Sequence, residues 1–371
     1  MNYLNKQLAQ EIVDRTMKII NRNINVMNDK GVIIGSGDKT RIDSIHEGAI
    51  QVIKNQTHFE INETEAEELN GVKMGINLPI TLHGKIVGAV GITGNPDEIR
   101  SFGELVKMAA EMIIQQAVWM DQMQWDKRLK EELVSQLLHQ PEQLDALFFE
   151  RVNRLGIDLE VPRVAILFTA DDQSRFFKKA TERLDQKDLY VMEQEQLVIL
   201  KQIHPKPNEK NVILNWIRGF ERFGMPFKAA VGSYYQSQKG VSESYKEATI
   251  TLNVGKRLHP KKTIYLFDDY KIPVYLAKSA QNGVTEKIGR HYHQLKQNDL
   301  KNGELIETLL VYIEENGDIQ ATTQKLFIHR NTLRYRLERI AEITGKDPNK
   351  LKDLLELYLS ILQEKINCAN A

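Results

Sequence analysis

Two groups of residues in this sequence have the types and spacing for binding chemistry. The first lies near the carboxy terminus, in HRNTLRYRLERIAEITG. From Ile319 to Lys346 the cations are Lys325, Arg330, Arg334, Arg336, Arg339 and Lys346, and the only acids are Glu338 and Glu342. That is a formal net of +4 within a chain whose 50 Lys and Arg balance 50 Asp and Glu. Cations and amides of this kind meet phosphates and base edges at the amino-terminal end of a recognition helix. His329, Arg330, Asn331 and Thr332 occupy that end, with Arg334 and Tyr335 about one turn on. Arg336 and Arg339 suit phosphate or helix-surface contacts.

The second group is dispersed through the first hundred residues. Ser36, Gly37, Arg41, His46 and Glu47 follow a short hairpin, and Gly75, Ile76 and Asn77 precede Pro79 at a strand entry. Exposed backbone N–H groups, hydroxyls and an Arg fork hold anions. A helix beginning near Ile42 would add its positive end. The plainer alternative is that the glycines serve turn geometry and that Arg41 and His46 are surface residues.

Other chemistries lack their residues. Asp171-Asp172 and Asp268-Asp269 are adjacent acids at strand ends and suit solvated loops. There is no Walker-type phosphate loop and no zinc-ligand spacing, so neither a metal nor a cofactor is expected. The single Cys368 excludes an intramolecular disulfide framework and fits a reducing cytoplasm. The amino terminus has no apolar stretch suited to a signal peptide, and no segment nears the ~20 apolar residues of a membrane span.

The elements that must position these residues follow from periodicity. At 371 residues, 42% hydrophobic and with mean hydropathy −0.41, the chain predicts two or three soluble domains. Residues 4–20 have helical spacing, INVMNDKGVIIGSG predicts a hairpin, 42–54 a helix, and GVKMGINLPITLHGKIVGAVGITG further strands with a turn at Gly84-Lys85. After Asn95-Pro96 a long helix covers 98–139. Leu105, Met112 and Trp119 form one seven-residue series, which resumes at Leu133; Ala109 and Met123 belong to another, which resumes at Leu137. Such a helix could pair with its copy in a dimer.

The middle region predicts a helix over 142–155, strands over 161–169 and 191–201, a helix over 211–223, a strand over 227–231, a helix over 238–258 and a strand over 263–267. These make an α/β or ferredoxin-like domain. Toward the end come an amphipathic helix over 304–314, a short helix in IQATTQKLF, a turn at Phe327-Ile328 and the basic helix. Leu333, Leu337, Ile340 and Ile343 form its buried stripe, which is the order of a helix-turn-helix. Residues 351–366 close that domain.

The stretches INVMNDKGVIIGSGDKTRI, HEGA, GVKMGINLPI, VGAVGITG and LFIHRNTLRYRLERI resemble, in order, the signatures of the carbohydrate diacid regulator family. Residues 317–346 resemble its purine-catabolism-regulator-type helix-turn-helix. The resemblance implies a multidomain α+β protein: a PAS/Cache-like sugar diacid sensor over 1–97, a signalling and dimerisation helix over 98–140, a degenerate GGDEF-like domain over 141–280 and an all-α DNA-binding domain over 299–371. No intact GGDEF-type catalytic motif is present. The resemblance further implies a cytoplasmic, non-enzymatic homodimer that binds a palindromic DNA operator. It would activate glucarate, galactarate or glycerate utilisation genes. Its effector, a hydroxy-carboxylate or sugar diacid, would lie among Ser36, Gly37, Arg41, His46, Glu47, Gly75, Ile76 and Asn77. A ligand-responsive repressor and a nucleotide-dependent signalling enzyme are the alternatives.

Overall fold

Asn5 opens the first helix, α1 (Lys6–Ile20), by accepting the Leu8 N–H at 2.9 Å, and Asn21 closes it in a left-handed conformation. In the computed structural model, which describes residues 3–68, 72–203, 209–235, 238–280, 289–299 and 303–367, the chain forms two units, Met1–Arg128 and Leu129–Ala371. Cys368 lies outside the described residues.

In the first unit α1 leads into the expected hairpin of β1 (Ile24–Asn28) and β2 (Ile33–Ser36). Its turn is held by Asn28 Oδ1, which accepts from Lys30 N and Val32 N. Then come α2 (Glu47–Asn55), β3 (Phe59–Ile61), α3 (Glu63–Glu68), β4 (Gly75–Leu82) and β5 (Lys85–Thr93). The strands form one antiparallel sheet in the order β2-β1-β5-β4-β3. The strand period of two divides it cleanly. Ile24, Val26, Ile76, Leu78, Ile80, Val90 and Ile92 pack under α1 and the long helix α4 (Pro96–His139), while Met27 and Ala89 meet Ala49 and Val52 of α2 on the other face. Pro96 at the first helical position costs α4 no hydrogen bond.

Two expectations are corrected here. No helix begins near Ile42: Lys39–Arg41 is a 3-10 turn capped by Asp38, Ile45 bridges to Val32, and α2 starts only at Glu47. The seven-residue series in α4 is also split. Leu105, Met112, Trp119 and Met123 are exposed, whereas Leu133 and Leu137 are buried in the core of the second unit.

The second unit contains the end of α4, α5 (Ala146–Arg154), β6 (Arg163–Ala170), α6 (Gln173–Thr181), β7 (Leu189–Glu193), β8 (Gln196–Gln202), α7 (Glu209–Arg218), β9 (Phe227–Val231), α8 (Gln238–Leu258), β10 (Ile264–Leu266) and α9 (Phe267–Ala280). Sheet order is β10-β9-β6-β8-β7, antiparallel except for the β9–β10 pair. The strand expected over 191–201 is instead the β7–β8 hairpin, turned by Gln194 and Glu195 at positive φ. The neighbouring acids have structural tasks. Asp172 caps α6 by accepting Arg175 N, Asp269 pairs with Lys210, and Asp268 pairs with Lys271.

The helical remainder is α10 (Arg290–Asn298), α11 (Glu304–Glu314), α12 (Ile319–Leu326), α13 (Arg330–Thr344) and α14 (Leu351–Asn367). α14 serves two cores. Leu357 and Ile361 pack with Leu309, Leu333 and Leu337, while Leu362 and Ile366 pack with the sheet-and-helix core around Leu252 and Val274.

Glu193, at the tip of β7, ties the end of α4 to this unit. It accepts from Ser135 Oγ at 2.8 Å and Tyr245 Oη at 3.1 Å, and meets His139 Nε2 at 2.5 Å. Glu193→Ala leaves these groups without their shared acceptor, at a cost of about 1–3 kcal/mol. Hydrogen-deuterium exchange of residues 129–139 should accelerate in this variant, while that of β6 stays unchanged.

Candidate functional site

The pairing register brings four positions into one row across the first sheet. Ser36 pairs with Asn25, Asn25 with Gly91, and Gly91 with Asn77. All three side chains of the row are buried, at 0%, 2% and 2% exposure for Ser36, Asn25 and Asn77. Polar groups inside a sheet domain must be hydrogen-bonded or bear an energetic cost. Ser36 Oγ donates to Asn25 Oδ1 at 2.7 Å and accepts Asp38 N at 3.0 Å. Asn77 Oδ1 has no hydrogen-bond partner among the described residues.

Glycines let the Asn77 side chain pack closely against strand and helix. A methyl added at Gly91 would lie 2.5 Å from Asn77 Oδ1. One added at Gly48, in the first turn of α2, would lie 2.9 Å from Asn77 Nδ2 and 3.2 Å from His46 Cε1. The start of α2 therefore stands over Asn77, and the two glycines allow helix, amide and sheet to approach closely.

His46 is the N-cap of α2. Its Nδ1 accepts Ala49 N at 3.3 Å, and its own N–H donates to Gly31 O. Burial, followed by the Arg41 charge, pushes its pKa from 6.5 down to about 4, so the imidazole is neutral near pH 7. Arg41 ends the 3-10 turn and is half-buried, as is Glu47. Gly37 N donates to Ile24 O, and Met17 fills the place where a Gly37 side chain would stand. Gly75 opens β4 opposite Thr93, too close to Ile92 O for any side chain. Ile76 points to the opposite face, into the core under α1 and α4.

Sequence reasoning missed Asn25, Gly48 and Gly91. A polar residue inside the otherwise apolar INVMN and a glycine inside VGAVGITG were the available signals, but their alignment needed the register.

The helix-turn-helix is α12 and α13. Asp318 caps the first by accepting Ala321 N at 2.7 Å, and His329 caps the second by accepting Asn331 N at 3.3 Å. Leu333, Leu337 and Ile340 are buried, which leaves His329, Arg330, Asn331, Thr332, Arg334, Tyr335 and Arg339 exposed. Arg334 pairs with Glu338 and Arg339 with Glu342 along the helix. Lys325 is drawn to Glu314 and Glu315 of α11.

Arg336 departs from the expected surface. It turns into the domain, donating to Thr308 Oγ1 at 3.0 Å and Glu304 Oε2 at 2.8 Å, and its side chain is 16% exposed. It fixes α13 to α11 and is removed from the DNA-facing set. Among the described residues, Arg330 has no ion-pair partner. No cluster of metal-binding side chains occurs among them, and no helix is long and apolar enough to cross a membrane.

Comparison with known proteins gives matches along the chain. The family model for sugar diacid recognition matches residues 4–137, the GGDEF-like domain residues 140–254, and the PucR C-terminal helix-turn-helix domain residues 305–362. The carbohydrate diacid regulator of Escherichia coli (strain K12) is 37% identical, with 97% of each chain covered. An uncharacterized protein of Haemophilus influenzae is 34% identical over 97% of this chain and 99% of its own. The DNA-binding transcriptional activator AdeR of Bacillus subtilis is 30% identical over 47% of this chain and 43% of its own.

Two outcomes follow from this geometry. The folded state holds His46 neutral, so its contribution is complete above pH 6.5 and is lost as pH falls from there toward 4. The loss is about 3 kcal/mol. His46→Asn, which retains a neutral cap, should flatten that part of the stability profile in urea titrations at successive pH values. On the helix-turn-helix, Arg336→Ala should destabilise the chain by about 1–2 kcal/mol, seen as a lower Tm. Arg330→Ala should leave Tm unchanged or slightly higher, since it removes a cation from the positive end of α13, but weaken DNA binding and reduce the salt slope by about 1 if the side chain sits on phosphate.

Proposed function

Because the chain belongs to the PucR-type carbohydrate diacid regulator family, we propose that it is a transcriptional activator controlled by a small hydroxy-carboxylate or sugar diacid bound in its first unit. Its role is regulatory rather than catalytic, and its helix-turn-helix binds DNA. The observation that carries the effector reading is the buried Asn77 amide, unpartnered at Oδ1 and flanked by Gly48 and Gly91 beneath the start of α2.

Glycerate, glucarate and galactarate combine carboxylate and hydroxyl groups, which suits this lining. In this reading one carboxylate lies at the positive end of α2, where backbone N–H groups donate and Arg41 supplies the charge. Hydroxyls bond Asn77, Asn25 and Ser36, while neutral His46 offers a ring N–H or lone pair. Gly37, Glu47, Gly75 and the Ile76 backbone complete the surroundings. The antiparallel sheet with helices on both faces supports a PAS/Cache-like sensor over 1–97.

Output passes through α4. Ile76 and Leu78 of β4 pack under that helix, where Gly103 permits close approach. Glu111 of α4 accepts both N–H and Oγ1 of Thr81, also on β4. A ligand that binds one setting of β4 more tightly shifts α4 with it. The exposed stripe of Leu105, Met108, Met112, Trp119 and Met123 pairs with a second copy over the part of the 98–140 segment before its buried end at Leu129. Paired heads, 299–371, then read a palindromic operator whose half-sites are roughly 34–36 Å apart. The 141–280 domain mounts them, and the protein works in the cytoplasm without a cofactor.

The test is a thermal-shift titration of the full chain with glycerate, glucarate and galactarate. At a hundred times Kd, the preferred acid should stabilise it by about 2.7 kcal/mol. Asn77→Leu should keep or raise the unliganded Tm, because it deletes an unsatisfied buried group, yet abolish the ligand shift. Arg41→Ala should weaken the shift. No response to any acid, or an undiminished response in Asn77→Leu, would sink the reading.

A further inference from the structure

Phe327 joins α12 to α13 with φ 56 and ψ 40, in the left-handed region. A helix commonly ends on such a residue, but it is usually Gly or Asn, because a β-carbon is strained there. A bulky aromatic is an outlier at this position. The hydrogen bond that the turn needs comes from the Phe327 backbone N–H to Gln324 O, and any residue could make it. The side chain is 94% exposed, the highest value among the exposed large hydrophobic residues described, so no packing within the chain offsets the strain. Its neighbour Ile328 turns inward to the core instead.

The next residues repeat the pattern. His329 is an uncommon N-cap, and Arg330 sets an unpaired cation at the positive end of α13, where an acid would stabilise the helix. Consecutive choices unfavourable to the free protein, at the end of the helix that meets base edges, point to a bound partner. That partner is anionic, because Arg330 opens α13 and Arg334 follows one turn on along the same side, and it has an apolar feature for the ring to contact. Duplex DNA provides both through phosphates and the 5-methyl groups of thymine in the major groove.

We propose that Phe327 is a DNA-contacting specificity residue whose ring enters the major groove beside α13 and packs on a thymine methyl group. This rests on α13 being the recognition helix, and the experiment separates the two claims. The full-length wild-type protein first selects duplexes from a random pool. Wild type, Phe327→Asn and Arg330→Ala are then compared on the selected duplex and on versions in which each thymine in turn is replaced by deoxyuridine, which lacks only the methyl.

Phe327→Asn should bind the selected duplex at least tenfold more weakly while its Tm is equal or higher. One deoxyuridine substitution should weaken wild type and leave Phe327→Asn unaffected. Binding by Phe327→Asn within twofold of wild type overturns the proposal, as does wild-type indifference to every methyl deletion. If wild type selects no duplex and Arg330→Ala changes nothing, the recognition-helix reading falls as well.

Discussion

A single covalent constraint organises this protein: α4 is one unbroken helix of 44 residues whose two ends are buried in different cores. Ile99, Val106, Ala110 and Ile114 fix its beginning against the first sheet, and Leu133, Val134, Leu137 and Leu138 fix its end in the second unit. Polar contacts index both ends. Thr81 grips Glu111, and Glu193 holds Ser135 and His139. Between the anchors the helix carries exposed apolar residues, including Met112 and Trp119, each 62% exposed. The β4 strand therefore matters twice, bearing Asn77 on one face and α4 on the other.

The DNA-binding head is similarly tied to its mount. α14 contributes Leu357 and Ile361 to the head and Leu362 and Ile366 to the central domain, so the two share a hydrophobic element. Arg257 of α8 reinforces the junction by donating to Ile366 O. Fully burying each such aliphatic side chain is worth about 1.5–3 kcal/mol, enough to make independent motion of the head costly. The GGDEF-like domain and the head are thus joined by packed side chains.

Legibility in the sequence followed the range of the interactions. The helix-turn-helix, the β1–β2 hairpin, α8 and the long helix are set by local periodicity, caps and turns, and the chain forms them near their expected bounds. The β7–β8 turn was hidden because Gln194 and Glu195 adopt positive φ without Gly or Asn to announce it. α6 was hidden because its cap, Asp172, looked like half of an acidic pair. α9 carries Pro273, a residue that argues against a helix, and a kink at Tyr270. In the candidate site, Arg41 and Asn77 could be chosen by type, but the row Ser36–Asn25–Gly91–Asn77 exists only through pairings between strands distant in sequence. Arg334 and Arg336 are equivalent in composition; only the position of α11 determines that Arg336 points inward.

Buried polarity helps to separate scaffold from site. Asp188 is buried too, yet its oxygens accept from Asp185 N, Lys201 Nζ and Gln202 N, which marks it as a saturated structural group. Asn77 leaves Oδ1 unpaired, and a missing partner alone decides little, since Thr251, His291, Gln294 and Gln363 share it. What distinguishes Asn77 is the conjunction with Gly48 and Gly91, whose missing side chains make room for the amide itself. A protein under pressure for stability alone would replace the amide by an apolar group. The same reasoning applies at α13, where Arg334 and Arg339 are held by Glu338 and Glu342 at exposed sites. Such exposed pairs are worth little, so a phosphate can displace the carboxylate at small cost. The recognition helix thus keeps its cations oriented without binding them firmly.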